Sequence, residues 1–329
     1  MPFRLPPPLV FKPDELYRVP TADGSAIALG RYHPRGPRRF VEPVLLGHSL
    51  GTNRFNLDFD EKYSLAQGLA RRGFESWVLE LRGGLAGSSE GATFDTEAEH
   101  DVAAALTAVV STGVPSVSWV GHSRGGLLAY AHLARNPLAP ISAIATLGSP
   151  LTFDSQPGVQ RFVAALGPTF RLPSLPLSFA GRAWPLGLPP DPIGKYLVRA
   201  DNMDPLVIRQ AIAHVSADIP GGVGRQFARW VRTNAFDGED GFDYRKGMKA
   251  IRVPVLSIAG ARDLLAPPAA AHLVKSLVSG PVELIRVGLA EGFSTDYGHG
   301  DLVLGLRAPL EVLPRLVEFL ERHSTPSAQ

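Results

Sequence analysis

Short runs of β-branched and apolar residues alternate with helix-like segments along most of the chain, and this alternation is the feature that most limits its fold. The runs lie at 41–49, 74–83, 117–123, 141–150, 253–263 and 282–288. Helical patterns occur at 61–73, 96–113, 124–137, 266–280 and 308–323. Such alternation predicts an α/β fold, a mostly parallel central sheet with helices on both faces. Residues 15–34 read as a hairpin, with Asp23-Gly24 at the turn, that adds an antiparallel edge.

The alternation is interrupted between about 151 and 250. Up to Pro190 this stretch is rich in proline and bulky apolar residues and holds four charged residues, and a helical pattern returns at 204–234. A segment of this length is too long for a loop in a compact domain. We therefore expect an inserted, mainly helical lid at 151–250 between the two parts of a core, 1–150 and 251–329. A second independent domain is the alternative.

Composition excludes several classes of function. Lysine and arginine number 33 against 31 acidic residues, with no dense basic block, so nucleic acid is not an expected partner. Zero cysteines exclude disulfides and thiol nucleophiles. No run approaches the roughly 18 apolar residues that span a bilayer, and the first residues do not resemble a signal peptide, so we expect a cytoplasmic protein. The nine histidines show no metal-ligand spacing, and there is no phosphate loop or dinucleotide fingerprint, so no metal or cofactor is expected.

The pattern G-x-S-x-G, typical of a strained turn that presents a nucleophilic serine, occurs twice. The first copy is "GHSLG" around Ser49 and the second is "GHSRG" around Ser123. Such a turn needs a strand before the serine, a helix after it and small neighbours. Ser123 has the strand "VSWV", the helical pattern "LLAYAHLAR" and glycines on either side, whereas Ser49 is followed by the polar "TNRFNLDF". We therefore predict that Ser123 is the nucleophile.

With this turn in place, the chain resembles the α/β-hydrolase superfamily from the hairpin to the last helix, as an esterase- or lipase-like member with an inserted lid. In that family the catalytic residues follow the order nucleophile, acid, histidine. The resemblance implies that Asp263, just beyond the strand "VPVLSIAG", is the acid. It also implies that His299, in the glycine-flanked loop "STDYGHGDL", is the general base.

Other interpretations of these residues stay open at this point. Asp263 could be a helix N-cap or turn residue, and His299 a surface loop residue. Four further carboxylates fit the family position less well. Asp296 and Asp301 are too near His299 in sequence, Glu291 is a weaker alternative, and Asp101 is better explained as a stabiliser of a helix or loop.

The resemblance also assigns the first copy of the pattern a role. "GHSLG" stands where the family has a His-Gly loop that helps to form the oxyanion hole, which implies the backbone N–H groups of Leu50 and Arg124 as donors. Arg124 is expected to contribute its backbone and not its charge. Ser49 replaces the usual glycine and is expected to leave the backbone less free. An ordinary turn that lines the pocket without donating is the alternative. The segment Arg82–Leu85 resembles the family's loop after the fourth strand and is expected to be structural.

These features predict a serine hydrolase that cleaves hydrophobic carboxylic esters through an acyl-enzyme, with a small-molecule ester or acyl compound as its partner. Apolar lid residues suggest an acyl pocket, and the alternative for most of them is that they fix the lid to the core: Phe162, Phe170, Leu172, Leu175, Leu177, Phe179 and Trp184. As substrate-binding residues we predict His48, His122, Phe162, Phe170 and Trp184. An amidase, peptidase or acyltransferase on the same triad is the enzymatic alternative. A non-catalytic protein that binds an apolar ligand or a partner is the alternative from another class.

Overall fold

The computed structural model describes residues 6–85, 89–154, 174–183 and 193–327. The strands of the central sheet are β1 Glu15–Pro20, β2 Ala26–Tyr32, β3 Val44–Gly47, β4 Ser76–Glu80, β5 Val117–His122, β6 Ile141–Leu147, β9 Val255–Gly260 and β10 Val282–Val287. These eight strands lie in the order β1-β2-β4-β3-β5-β6-β9-β10. Two short strands, β7 Ser174–Leu175 and β8 Ile219–Pro220, pair separately.

The helices lie between the strands and after the last one. They are α1 Leu65–Arg71, α2 Phe94–Thr96, α3 Val102–Val110, α4 Arg124–Arg135, α5 Leu177–Ala183, α6 Ile193–Leu197, α7 Pro205–Gln210, α8 Gly221–Thr233, α9 Tyr244–Gly247, α10 Pro268–Ala271, α11 Val274–Leu277, α12 Asp301–Leu304 and α13 Ala308–Arg322. A π-helical turn, Glu97–Asp101, joins α2 to α3, and another, Ala211–Val215, follows α7.

The α/β class predicted from the alternation is confirmed. The strands β4, β3, β5, β6, β9 and β10 pair in parallel, whereas β1 and β2 are antiparallel to each other and β2 is antiparallel to β4. The hairpin turn lies at the predicted Asp23-Gly24, where Gly24 has φ 83°, a conformation that glycine adopts without steric cost.

Apolar side chains cover both faces of the sheet. Trp119 packs with α3 and α4 on one face, and its neighbour Val120 packs with α1 and α13 on the other. This alternation follows from the two-residue period of a strand buried on both sides. The nucleophile candidate therefore follows a strand that is fixed from both faces.

The chain between β6 and β9 contains the β7/β8 pair and the helices α5 to α9. Residues 215–217 of this segment lie against the loop after β3. Ala217 N donates to Gly51 O at 2.9 Å, Asn53 N donates to Val215 O at 3.0 Å, and Thr52 and Ser216 form an antiparallel bridge. The inserted lid and its boundaries stay a prediction, and three of its expected substrate-binding residues, Phe162, Phe170 and Trp184, lie outside the described residues.

Helix α4 approaches β3 so closely that it leaves no space for a side chain at Gly125. A Cβ placed there would lie 1.9 Å from the carbonyl oxygen of Gly47. Gly121 is equally restricted, since its Cβ would meet the backbone of Gly126 at 2.2 Å.

We predict that Gly125→Ala lowers the free energy of unfolding by about 3 kcal/mol, because the helix must shift away from β3. The matched control is Gly24→Ala, where no atom lies within 4 Å of the added Cβ but φ is positive, and about 1 kcal/mol of strain is expected. Urea unfolding of both variants measures the difference. Equal losses in the two variants would contradict the packing argument.

Candidate active site

Ser123 stands on a strained turn between β5 and α4. Its backbone has φ 51° and ψ −114°, a conformation that costs a non-glycine residue free energy unless its surroundings hold it. Ser123 N donates to Leu147 O at 2.8 Å, and the Ser149 hydroxyl donates to Ser123 O at 2.8 Å. Helix α4 begins at Arg124. The strand, turn and helix required at Ser123 are all present.

The two G-x-S-x-G copies lie side by side on neighbouring parallel strands, with Gly47 directly opposite Gly121. After the first copy the chain makes a 3-10 turn, Arg54–Asn56, rather than a long helix. Among the described residues, positive φ at non-glycine positions occurs at Ser123 and Asn234, so Ser49 has ordinary backbone geometry. The positive φ of this loop, 67°, falls on Gly51. Ser49 therefore stands in a conformation that does not require glycine.

Asp263 and His299 meet at the carboxyl edge of the sheet. Asp263 Oδ2 lies 2.8 Å from His299 Nδ1, and both residues are buried. Asp263 Oδ1 accepts hydrogen bonds from the backbone N–H groups of Leu265 and Ala266, at 2.8 and 2.7 Å. One oxygen of the Asp263 carboxylate thus accepts hydrogen bonds from the following turn, and the other faces the His299 imidazole.

The rival carboxylates are engaged elsewhere. Asp296 accepts from Leu289 N at 3.0 Å and pairs with Arg262. Buried Asp301 accepts from Asn202 Nδ2 at 2.9 Å and from Gly298 N at 2.8 Å. The remaining two form ion pairs, Glu291 with Arg286 and Asp101 with Arg82.

His122 links the serine turn to the other two parts of the site. Its ring centroid lies 4.9 Å from that of His299, and its Nε2 is 3.3 Å from the His299 carbonyl oxygen. Its Nδ1 lies 2.9 Å from Asn56 Oδ1, which also accepts the Ser49 N–H at 3.1 Å. Burial holds the pKa of His122 well below its ordinary value, so the ring is neutral. Both partners are oxygen acceptors, so the single N–H of the neutral ring can be donated to one of them at a time.

The two histidines predicted to bind substrate are both buried, His48 to 1% and His122 to 2% exposure. His48 Nδ1 lies 3.0 Å from the Ser49 carbonyl oxygen, and its Nε2 lies 3.4 Å from Leu81 N and from Glu80 Oε1. Their ring nitrogens face the protein's own backbone and side chains. Contact of either ring with substrate stays a prediction.

Arg124, which is expected to contribute its backbone and not its charge to the oxyanion hole, uses its charged side chain in contacts within the protein. Its guanidinium is buried, with Nη1 donating to both Glu97 oxygens at 2.8 and 3.0 Å. Nη2 donates to the Ser49 carbonyl oxygen at 3.2 Å. Burial raises the pKa of Glu97 to about 7, and the positive charge of Arg124 opposes that rise. The residue after the candidate nucleophile therefore ties its helix to the loop after β3.

Sequence reasoning missed four residues that hold this arrangement: Thr52, Asn56, Glu97 and Ser149. Thr52 and Asn56 lie in the polar stretch "TNRFN". Hydroxyls and amides of this kind favour loops where they bond the local backbone, which is the signal that could have marked them. Glu97 and Ser149 carry no such local signal, since their partners are distant in sequence.

An apolar cluster borders the same loop. Leu50, Leu175 and Leu177 are partly buried and pack against a small buried cluster that contains Ile219 and Val223. Among the described residues, no group of three or more His, Asp or Glu side chains could hold a metal ion. In the same residues we find no helix with the length and apolar character that crossing a membrane requires.

Comparison with known proteins adds three relatives. Triacylglycerol lipase 1 of Arabidopsis thaliana is 29% identical over 151 residues, which cover 42% of this chain and 38% of the lipase. A thermophilic esterase from Thermogutta terrifontis superposes with a TM-score of 0.66 at 18% identity, over 94% of this chain and 100% of the esterase. A monoacylglycerol lipase from Paleococcus ferrophilus gives 0.62 at 18% identity, over 94% and 100%. The match spans well under half of the Arabidopsis lipase, and the two structural likenesses, at these identities, concern the fold.

A family model described as alpha/beta hydrolase fold matches residues 42–291, which is more than half of the chain. That range runs from just before β3 to just past β10, so it takes in the serine turn and Asp263 and ends before His299. The chain therefore belongs to the alpha/beta hydrolase fold family.

Proposed function

We propose that this protein is a serine hydrolase that cleaves hydrophobic carboxylic esters, with Ser123 as nucleophile, His299 as general base and Asp263 as its acidic partner. The observation that carries the proposal is the buried Asp263–His299 pair, with 2.8 Å between Oδ2 and Nδ1. The ring of His299 lies 4.9 Å from that of His122, the residue before the serine held at φ 51°. A serine hydroxyl is a weak nucleophile at neutral pH and needs an adjacent base that a third group orients.

In the proposed reaction, His299 Nε2 takes the Ser123 proton as the hydroxyl oxygen attacks the ester carbonyl carbon. The tetrahedral intermediate collapses when the same proton passes to the leaving alkoxide, which departs as the alcohol and leaves an acyl-serine. Water, deprotonated by His299, then attacks the acyl carbon. The carboxylic acid departs and Ser123 regains its proton. Asp263 keeps the imidazole oriented and stabilises its cationic form in both halves.

The backbone N–H groups of Leu50 and Arg124 are the proposed donors to the carbonyl oxygen as it becomes negative. Both follow the serine of a G-x-S-x-G copy, and the strands that lead into the two copies are adjacent and parallel. Donors fixed before the reaction need no reorganisation when charge develops, and each can be worth roughly 3 kcal/mol in the transition state.

A hydrophobic acyl group is supported by the apolar cluster of Leu50, Leu175, Leu177, Ile219 and Val223 beside the proposed donor. Burial of methylene groups against such a surface contributes about 0.8 kcal/mol each. The similar proteins are a triacylglycerol lipase, an esterase and a monoacylglycerol lipase, and these activities agree with this class of substrate.

The nucleophile assignment is tested with a fluorophosphonate probe, which reacts with activated serines. We expect Ser123→Ala to abolish labelling and Ser49→Ala, the matched control in the other copy of the pattern, to retain it. Intact-protein mass measures both. Labelling that survives in Ser123→Ala would overturn the assignment, and an unreactive wild-type protein would favour the non-catalytic alternative.

Asp263→Asn should lower kcat for p-nitrophenyl esters by roughly 10³- to 10⁴-fold, because the imidazole loses the carboxylate that orients it and stabilises its charge. Asp296→Asn is the control, since Asp296 caps Leu289 N and pairs with Arg262. Circular dichroism should report the same fold for both variants. Full turnover by Asp263→Asn would show that another residue is the acid.

The acyl-pocket proposal predicts that Leu177→Ala changes the preference for acyl-chain length. Leu177 is partly buried in the cluster beside Leu50, whereas Phe179, two residues on, is 74% exposed. Removing the leucine side chain should lower kcat/KM for long-chain p-nitrophenyl esters by about 10-fold and leave the acetate little changed. Phe179→Ala should keep the wild-type profile. Amide analogues in the same series test the amidase alternative, and an unchanged profile in Leu177→Ala would contradict the pocket.

A further inference from the structure

Three side chains contact the Ser49 carbonyl oxygen. Thr52 Oγ1 donates to this oxygen at 2.9 Å, Arg124 Nη2 donates to it at 3.2 Å, and His48 Nδ1 lies 3.0 Å from it. On the other side of the residue, Ser49 N donates to Asn56 Oδ1. Ser49 is buried, whereas the next residue, Leu50, is half-buried. Both backbone groups of Ser49 are therefore anchored in the protein at the point where the proposed oxyanion loop begins.

Because a peptide unit is planar, fixing the Ser49 carbonyl also fixes the direction of the Leu50 N–H. The Ser49 C=O and the Leu50 N–H belong to one planar trans peptide, so they point in opposite directions. Donors that hold the carbonyl oxygen on one side must aim the N–H at the other. A rotation of this peptide would turn both groups together.

Arg124 is itself fixed before it reaches Ser49. Its Nη1 is bound by both oxygens of Glu97, which is fully buried in the π-helical turn between α2 and α3. The planar guanidinium can bond the carboxylate with one nitrogen and a carbonyl with another, a geometry that a single ammonium does not reproduce. The position of Nη2 is thus set by an ion pair on a different element.

From these contacts we propose that Arg124 is a positioning residue that acts through the Ser49 carbonyl, together with Thr52, to aim the Leu50 N–H at the developing oxyanion. This inference rests on the proposed function. Arg124 then contributes to both donors of the oxyanion hole, because its side chain orients the Leu50 N–H and its own backbone N–H is the second donor. The oriented N–H stabilises the transition state, where the oxygen carries negative charge, more than it stabilises the bound substrate.

The test separates this orienting contact from the ion pair. Arg124→Lys keeps a cation beside Glu97 but has no second nitrogen for the Ser49 carbonyl. Thr52→Val removes the hydroxyl that donates to the Ser49 carbonyl at nearly constant side-chain volume, and Thr52→Ser restores a hydroxyl. Arg82→Lys is the control for an equally buried arginine, since Arg82 pairs with Asp101 and Asp23 and makes no contact with Ser49.

We expect Arg124→Lys and Thr52→Val each to lower kcat for p-nitrophenyl butyrate by about 10-fold or more, with KM within about twofold of wild type. Inhibition by a trifluoromethyl ketone, which forms a tetrahedral oxyanion on the serine, should weaken by the same factor. Thr52→Ser and Arg82→Lys should keep kcat within about threefold. Melting temperatures show whether each variant is folded.

Unchanged kcat in both Arg124→Lys and Thr52→Val would overturn the positioning role and leave the proposed hydrolase intact. A loss of equal size in Arg82→Lys would also overturn it, because the effect would then follow from disturbing buried charge. A wild-type protein that neither turns over esters nor reacts with a fluorophosphonate would overturn the proposed function and this inference together.

Discussion

The contact between Gly47 and Gly125 is the constraint on which the site depends. With Gly47 opposite Gly121 in the sheet and Gly125 against the Gly47 carbonyl, helix α4 begins directly above two adjacent parallel strands. The strained Ser123 turn and the loop that starts at His48 therefore emerge side by side. No side chain fits at Gly125, so the chain keeps glycine where the helix crosses the strand. The repeated G-x-S-x-G pattern follows this geometry, although the proposed chemistry uses only one of its two serines.

The buried charges around this contact are paired across elements. Arg124 with Glu97, and Arg82 with Asp101, connect the starts of α4 and of the loop after β4 to the helical segment 94–110. Removing one partner of such a pair leaves an uncompensated charge in the interior, which costs several kcal/mol. The Arg124–Glu97 pair thus fixes the start of α4 relative to this helical segment.

Local patterns predicted the fold and the residues at strand ends, because periodicity and glycine placement depend on neighbours in sequence. The hairpin and the strand, turn and helix around Ser123 are of this kind, whereas Asp263 was implied by the order of catalytic residues in the family that the chain resembles. The side-chain role of Arg124 could not be predicted, since Glu97 is 27 positions away and a charged residue in a variable motif position is usually solvated. The ordinary backbone conformation of Ser49 could also not be predicted from the sequence, because the loop places its positive φ at Gly51. His122 was expected near substrate, and its bonds to Asn56 and to the His299 backbone depend on distant residues.

The central claim concerns where the oxyanion is bound, and a crystal structure of the wild-type protein after reaction with a fluorophosphonate would test it most directly. The account predicts a phosphorus bonded to Ser123 Oγ and a phosphoryl oxygen within hydrogen-bond distance of the N–H groups of Leu50 and Arg124. The Arg124 side chain should still reach Glu97 and the Ser49 carbonyl. A phosphoryl oxygen turned away from Leu50, or an adduct on Ser49, would contradict it.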